Sequence, residues 1–248
     1  MIHPTALISE SARIDENVEI GPFTIVHAHV WLKSGCKVGA YCEIGLPNPN
    51  ARQQMLEIGE RGVIRSHSVI YSGSRIGAGL QTGHHVCIRE NSEIGEGVQL
   101  GSRADVQGDC TIGDFTKMHA DVHVGKKSTI GSFVWLFPEV LLTNDPMPPS
   151  EILIGPTIED YCVIASKALI FPSVKIGANA VVAASSVVKA DIPEWKLAMG
   201  NPAKPACDIR ILRMPDNPKE KAYPWRNRFH RGYPEAVVNA WKSLKNEE

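Results

Sequence analysis

The chain has 248 residues, of which 43% are hydrophobic and 21% are charged, so it is long and apolar enough to bury one sizeable core. Its 26 Lys and Arg residues balance 27 Asp and Glu residues, and no excess charge favours nucleic acid or an anionic membrane surface. We therefore expect small-molecule partners, with no nucleic acid and no membrane.

Two further features of the composition bear on the cellular location and on metals. Residues 1–5 lack a basic segment followed by an apolar one, and the chain has no uncharged apolar run of about 18 residues, so we expect a cytoplasmic protein. The six cysteines form no CxxC pair, and a domain with its own core needs no disulfides. We expect reduced thiols and no bound metal.

An aliphatic residue recurs at every sixth position along most of the chain. The register runs from Ile8 to Ile44, from Ile58 to Leu142 with only Thr82 polar, and from Ile152 to Val188, giving seven, fifteen and seven hexapeptides. A period of six matches neither an α-helix, with about 3.6 residues per turn, nor a half-buried strand, so the chain must turn every six residues.

Four positions after each aliphatic residue lies a second, mostly small residue, which suits a narrow interior. Cys36, Cys42, Cys110 and Cys162 occupy this position as small hydrophobes. The pattern resembles the hexapeptide-repeat acyltransferase family. The resemblance implies an all-β fold, a left-handed parallel β-helix with coils of about 18 residues stacked on one another, and a homotrimer whose subunits share the active sites.

We predict a β-helix over residues 1–192 and a C-terminal tail over residues 193–248. Two segments rich in Pro and Asn break the register and are predicted as loops, at 46–57 and 143–151. Within the tail, Val237, Val238, Trp241 and Leu244 share one face of a predicted short amphipathic helix.

Residues 18 positions apart should stack on one edge of the β-helix, and one such column holds Ser72, Glu90, Gly108, Lys126 and Asn144. Segments 64–70 and 88–95 resemble the acyltransferase that begins lipid A synthesis on UDP-N-acetylglucosamine. That enzyme has a basic histidine where Glu90 stands, and a glycine, matched by Gly108, whose backbone N–H stabilises the oxyanion.

A hydroxyl acceptor needs a base whereas a free amine does not, so losing the histidine favours an amine acceptor. Glu90, His84 and Gly108 are the predicted catalytic residues.

Other residues are candidates for binding substrate and cofactor. The segment Thr143–Asp145 resembles the Thr-Asn-Asp loop of N-acetyltransferases acting on nucleotide-linked 3-amino sugars, and residues 199–204 resemble the closing segment of coenzyme A-dependent members. The predicted substrate-binding residues are His85, Asn91, His119, His123, Asn144 and Asp145. The predicted cofactor-binding residues are Lys126, Asn201 and Lys204.

The sequence thus predicts an acyltransferase that carries acetyl from acetyl-CoA to the amine of a nucleotide-linked amino sugar, in surface polysaccharide or lipopolysaccharide synthesis. The alternative is an acyl carrier protein-dependent O- or N-acyltransferase of the lipid A type on a UDP-amino sugar. A γ-class carbonic anhydrase is disfavoured, because the family's ligand histidines lie five residues apart, whereas here Arg89 follows His84 and Val124 follows His119 at that interval. A non-catalytic scaffold stays open, as do the nucleotide, the ring position and the acyl group.

Overall fold

The computed structural model describes residues 1–245, and it confirms the all-β class. The chain winds as a left-handed parallel β-helix whose short strands form three sheets of 10, 9 and 11 strands. From residue 7 to residue 188, successive strands belong to the first, second and third sheet in turn, so each of them pairs with the strand one coil away.

The first sheet comprises β1 (Leu7–Ile8), β4 (Ile25–Val26), β7 (Glu43–Leu46), β10 (Val69–Tyr71), β13 (Cys87–Ile88), β16 (Asp105–Val106), β19 (His123–Val124), β22 (Leu141–Leu142), β25 (Leu169–Ile170) and β28 (Val187–Val188). The second comprises β2 (Arg13–Ile14), β5 (Val30–Leu32), β8 (Leu56–Ile58), β11 (Arg75–Ile76), β14 (Glu93–Ile94), β17 (Thr111–Ile112), β20 (Thr129–Ile130), β23 (Thr157–Ile158) and β26 (Lys175–Ile176). The third comprises β3 (Glu19–Ile20), β6 (Lys37–Val38), β9 (Val63–Ile64), β12 (Gln81–Thr82), β15 (Gln99–Leu100), β18 (Lys117–Met118), β21 (Trp135–Leu136), β24 (Val163–Ile164), β27 (Val181–Val182), β29 (Lys196–Gly200) and β30 (Ala203–Asp208).

The core is a column of the aliphatic residues that recur every six positions. From Ile20 onward almost all of them are fully buried, and the small residues between them, including the four inward cysteines, fill the corners. Burial raises the pKa of the Cys110 thiol to about 11 and that of Cys162 to about 12. Each coil covers the apolar edge of the next, so stacking supplies the burial that a single coil lacks.

One register position was predicted wrongly. Ile152 is 62% exposed and lies in no strand, and the repeat resumes only at Ile158. The backbone leaves the coil after Leu142 and closes a loop through the Ile154 N–H, which donates to the Asn144 carbonyl at 2.7 Å. The structure has residues 47–55 between β7 and β8, and residues 143–156 between β22 and β23.

The tail folds back over the outer face of the third sheet. β29 pairs with β27 and forms an antiparallel hairpin with β30, and two 3-10 turns (Ile209–Ile211 and Trp225–Asn227) precede the helix α1 (Glu235–Lys245). Trp225, Tyr233, Val238 and Trp241 form a hydrophobic cluster with residues of the β-helix, and the indole N–H of Trp225 donates to the Tyr161 carbonyl. The side chain of Leu244 lies outside the described residues, as do residues 246–248.

None of the helices in the described part of the chain is long and apolar enough to cross a membrane. Within residues 1–245, no three His, Cys, Asp or Glu side chains come together as a metal site.

Candidate functional site

The edge between the first and second sheets, here called the first edge, carries the column that the sequence singled out. Cys87 in β13 pairs with Asp105 in β16, and Asp105 pairs with His123 in β19. The corners that follow these strands therefore stack Glu90 below Gly108 and Gly108 below Lys126.

Glu90 lies at the centre of this edge and its side chain is fully buried. Its carboxylate accepts hydrogen bonds from Asn48 Nδ2 at 3.1 Å and from Arg89 Nε at 3.2 Å, and Lys126 Nζ lies 3.6 Å from its second oxygen. A buried carboxylate needs such partners, because an unpaired charge in the interior is costly. Three donors thus hold Glu90 in place.

The loop over residues 47–55 is tied to the same edge. Arg52 Nη2 lies 2.6 Å from Asp109 Oδ1, and Lys126 Nζ lies 3.0 Å from the other oxygen of Asp109. Asn91 Nδ2 donates to Asp109 at 3.1 Å and to the Asn50 carbonyl at 3.0 Å. The loop, Asn91 and Asp109 together close one side of the column.

Gly108 has a backbone conformation that suits glycine, with φ of +93°. A Cβ atom here would lie 2.8 Å from the Glu90 carbonyl oxygen, so the corner also has no room for a side chain.

The Gly108 N–H makes no hydrogen bond to another of the described residues. At matching corners between the second and third sheets, side chains one coil further on accept such N–H groups: Asp114 accepts from Glu96 at 2.7 Å and Ser132 accepts from Asp114 at 3.1 Å. The residue one coil beyond Gly108 is Lys126, which has no acceptor atom. The Gly108 N–H thus has no acceptor among the described residues, and it belongs to a buried residue.

His123 lies on the outer face of the first sheet, next to the first edge. Its Nδ1 is 3.0 Å from Asp105 Oδ2, and Gln107 Nε2 donates to the same oxygen at 2.6 Å. Partial burial opposes ionisation of Asp105, but the hydrogen bonds from His123 and Gln107 outweigh it, so the pKa of Asp105 is below its ordinary value. Because a carboxylate only accepts, Nδ1 is the donor in this pair, and Nε2 of the 39% exposed imidazole is the ring nitrogen left for a ligand.

The structure does not bring His84 and His85 to the first edge. Both lie at the edge between the third and first sheets, where His84 Nδ1 is 2.8 Å from Ser66 Oγ. His85 stacks on His67 at 4.7 Å, in a ladder that continues to Tyr41. Within one chain the first sheet separates them from Glu90 and Gly108.

Of the remaining predicted residues, Asn144 lies on the first edge, and the others lie beside the tail, in the loop after β22 and at the β29–β30 hairpin. His119 stacks on Phe137 at 4.8 Å beside the tail, and partial burial lowers the pKa of its imidazole. Asp145 accepts from Ser150 Oγ at 2.6 Å within its own loop, which holds the pKa of that carboxyl below its usual value, and Asn144 lies above Lys126 on the first edge. Asn201 and Lys204 lie exposed at the β29–β30 hairpin.

Sequence reasoning missed Asp105, Asp109 and the two loop residues Asn48 and Arg52. Asp105 could have been found, because it lies 18 residues before His123 and must pair with it in the sheet. The loop residues carry no periodic signal, and only the folded loop shows that they contact the column.

No protein-family model matches the chain. It is 31% identical over 104 residues to the acyl-(acyl-carrier-protein)–UDP-N-acetylglucosamine O-acyltransferase of two strains of Rickettsia bellii, OSU 85-389 and RML369-C, a match covering 33% of this chain. The chain spans about a third (36%) of the length of these curated relatives. A crystal structure of a UDP-N-acetylglucosamine acyltransferase from Bacteroides fragilis 9343 superposes with a TM-score of 0.50 at 21% identity, covering 96% of this chain and 81% of that one. The predicted resemblance to hexapeptide-repeat acyltransferases is confirmed at the level of the fold.

Proposed function

We propose that this protein is an acyltransferase that moves acetyl from acetyl-CoA to the amine of a nucleotide-linked amino sugar, in surface polysaccharide or lipopolysaccharide synthesis. The proposal includes a cytoplasmic homotrimer with active sites between subunits, as the resemblance implies. Support comes from the fold, from the partial similarity to UDP-N-acetylglucosamine acyltransferases, and from the geometry of the first edge.

The observation that carries the choice of an amine is the environment of Glu90. This carboxylate stands where the resemblance places a basic histidine, yet it is fully buried and bonded to Asn48, Arg89 and Lys126. To take a proton from a hydroxyl it would have to give up these contacts. An amine in its free-base form needs no base to attack a thioester. We therefore assign Glu90 to positioning Arg89 and Lys126, and this departs from the expectation that it is catalytic.

In the proposed reaction the amine nitrogen attacks the thioester carbonyl carbon, and the carbonyl oxygen becomes an oxyanion next to the Gly108 N–H. Such a preorganised donor contributes roughly 3 kcal/mol to transition-state stabilisation. The tetrahedral intermediate then collapses, the carbon–sulfur bond breaks and the thiolate of coenzyme A leaves. The amine proton passes to His123 Nε2, oriented by Asp105, or to the departing thiolate.

The test is product analysis with the intact protein. Acetyl-CoA is incubated with dTDP- and UDP-linked amino sugars and with their hydroxyl counterparts, and the sugars are examined by mass spectrometry. We expect an N-acetylated product from at least one amino sugar and none from the hydroxyl sugars. Acetylation of a hydroxyl sugar, or no product from any amino sugar, would refute the proposal.

A second candidate is acyl transfer from acyl carrier protein to a UDP-amino sugar. The His123–Asp105 pair favours the O-acyl form of this candidate, because an oriented, exposed imidazole is the base that a hydroxyl acceptor requires. The same assay with acyl carrier protein loaded with short and long acyl chains distinguishes the two donors: turnover with the loaded carrier and none with acetyl-CoA selects this candidate.

A further inference from the structure

A groove runs between the outer face of the third sheet and the tail segment 223–233. We call it the tail groove. It consists of two adjoining hollows of about 500 and 310 Å³ that share His119, Trp135, Phe229 and Arg231 as lining residues. Small-molecule sites typically measure about 300–1,000 Å³. The tail groove lies on a different face from the Glu90 column, and none of its lining residues takes part in the bond-making steps described above.

The tail groove carries positive charge with no negative charge to balance it. Arg65, Lys117, Arg228 and Arg231 line it, and no Asp or Glu is present among the described residues that do so. None of the four forms an ion pair with another residue in the range 1–245. Uncompensated positive charge in a concave surface focuses a field that attracts anions.

Lys117 shows the effect most clearly. It is only 7% exposed, and its ammonium lies 3.9 Å from the centre of the Tyr233 ring and 3.4 Å from the Gly232 carbonyl oxygen. Burial and the nearby charge of Arg231 lower the pKa of Lys117. An anion in the groove would give this ammonium and Arg231 a common partner, at a place where burial strengthens the attraction.

Aromatic rings form the other wall. His119 stacks on Phe137, and Phe137 lies 6.0 Å from Trp135 at an interplanar angle of 28°. Phe229 meets Trp135 edge-on at 5.5 Å. All four side chains are partly exposed, so ring surface is available beside the cations. A planar heterocycle gains by stacking on such rings, whereas inorganic phosphate alone would leave them uncovered.

We propose that the tail groove binds the nucleoside diphosphate part of a substrate, with the base against the aromatic wall and the diphosphate against Lys117, Arg228 and Arg231. The inference rests on the proposed function insofar as both proposed substrates contain this chemistry. A nucleotide-linked sugar carries a nucleoside diphosphate, and so does coenzyme A.

Binding is measured by isothermal titration calorimetry on the intact protein, so no turnover is required. The ligands are UDP, dTDP, coenzyme A and uridine. The variants are Arg231→Gln, the double variant Arg228→Gln/Arg231→Gln, and the control Arg75→Gln, whose exposed arginine lies on the second sheet. We expect Arg231→Gln to weaken binding about tenfold, the double variant to weaken it more, and the control to match the unaltered protein.

The pattern across ligands identifies the source of the nucleotide. Weakening with UDP or dTDP assigns the groove to the sugar nucleotide, and weakening with coenzyme A alone assigns it to the acyl donor. Uridine should bind at least tenfold more weakly than UDP. Absence of binding by all three phosphorylated ligands, or equal affinities in the arginine variants and the control, overturns the proposal.

A second variant tests the aromatic wall separately. Phe137→Leu keeps apolar bulk but removes one ring, and it should weaken UDP or coenzyme A severalfold while leaving the binding of pyrophosphate unchanged. Equal effects on nucleotide and pyrophosphate would overturn the stacking assignment. Nucleotide binding that depends on the arginines, without acyl transfer to any amino sugar, would refute the proposed function and leave the tail groove standing.

Discussion

Replacing Glu90 by glutamine separates a positioning role from a catalytic one. Glu90→Gln keeps the side-chain shape but removes the charge and turns one acceptor oxygen into a donor. That donor must then face Arg89 or Lys126, which also donate. Arg89 then loses its ion pair with Glu90, whereas Asp109 still pairs with Lys126 and Arg52.

The magnitude follows from the contacts. Hydrogen bonds to charged groups contribute about 1.5–3 kcal/mol each, and breaking a buried ion pair costs about 3–5 kcal/mol. Because glutamine still accepts from Asn48, we expect a loss near the lower end, about 3 kcal/mol in the free energy of unfolding. For a chain of this size that lowers the melting temperature by roughly 6–12 °C.

The assay pairs thermal unfolding, followed by circular dichroism, with turnover of the amino sugar at a temperature where the variant is folded. We expect kcat to fall less than about tenfold, whereas loss of a general base lowers it by about 100- to 10,000-fold. Glu93→Gln is the matched control, since Glu93 lies in the same coil and is exposed, and it should change neither quantity. A collapse of kcat without a change in melting temperature would show that Glu90 is the base.

Three further outcomes are expected. Gly108→Ala should unfold at lower temperature than Gly79→Ala and lose turnover. Both glycines have positive φ, but a Cβ at Gly108 would clash with the Glu90 carbonyl oxygen at 2.8 Å, whereas a Cβ at Gly79 would lie 3.8 Å from the Gly97 backbone, an ordinary contact. The depressed pKa of Asp105 stabilises the fold above its ordinary value of 3.8, and this stability is lost as pH falls through the folded-state pKa. Asp105→Asn should therefore flatten the acid side of the stability profile, measured by melting temperature from pH 2 to 6, and an unchanged profile would contradict the reasoning. Iodoacetamide at about pH 8 should not label Cys110 in the folded protein, because burial raises the pKa of its thiol to about 11, and it should label Cys110 after unfolding. Peptide mass spectrometry measures the labelling. Rapid labelling in the folded state would show that the interior is open.

Residue spacing in the sequence was enough to predict much of the candidate site. The column through Glu90, Gly108 and Lys126 follows from the 18-residue coil, and the same arithmetic separates His84 from Glu90, since six residues are one side of the β-helix. His84 was predicted to act with Glu90 and Gly108 because it lies only six residues from Glu90 in the sequence. In a β-helix, residues one coil apart are neighbours, whereas residues one hexapeptide apart lie on different edges.

The sequence by itself determined the β-helix and its register, because each inward position recurs at the period of the coil and buries itself only when neighbouring coils stack. Only the tertiary structure decided where the aperiodic segments lie. Asn48 contacts Glu90 across 42 residues, and Trp225 contacts Tyr161 across 64. Such contacts depend on the path of a loop and on how side chains from distant segments pack. The hexapeptide pattern describes the residues within each coil, so it carries no information about either.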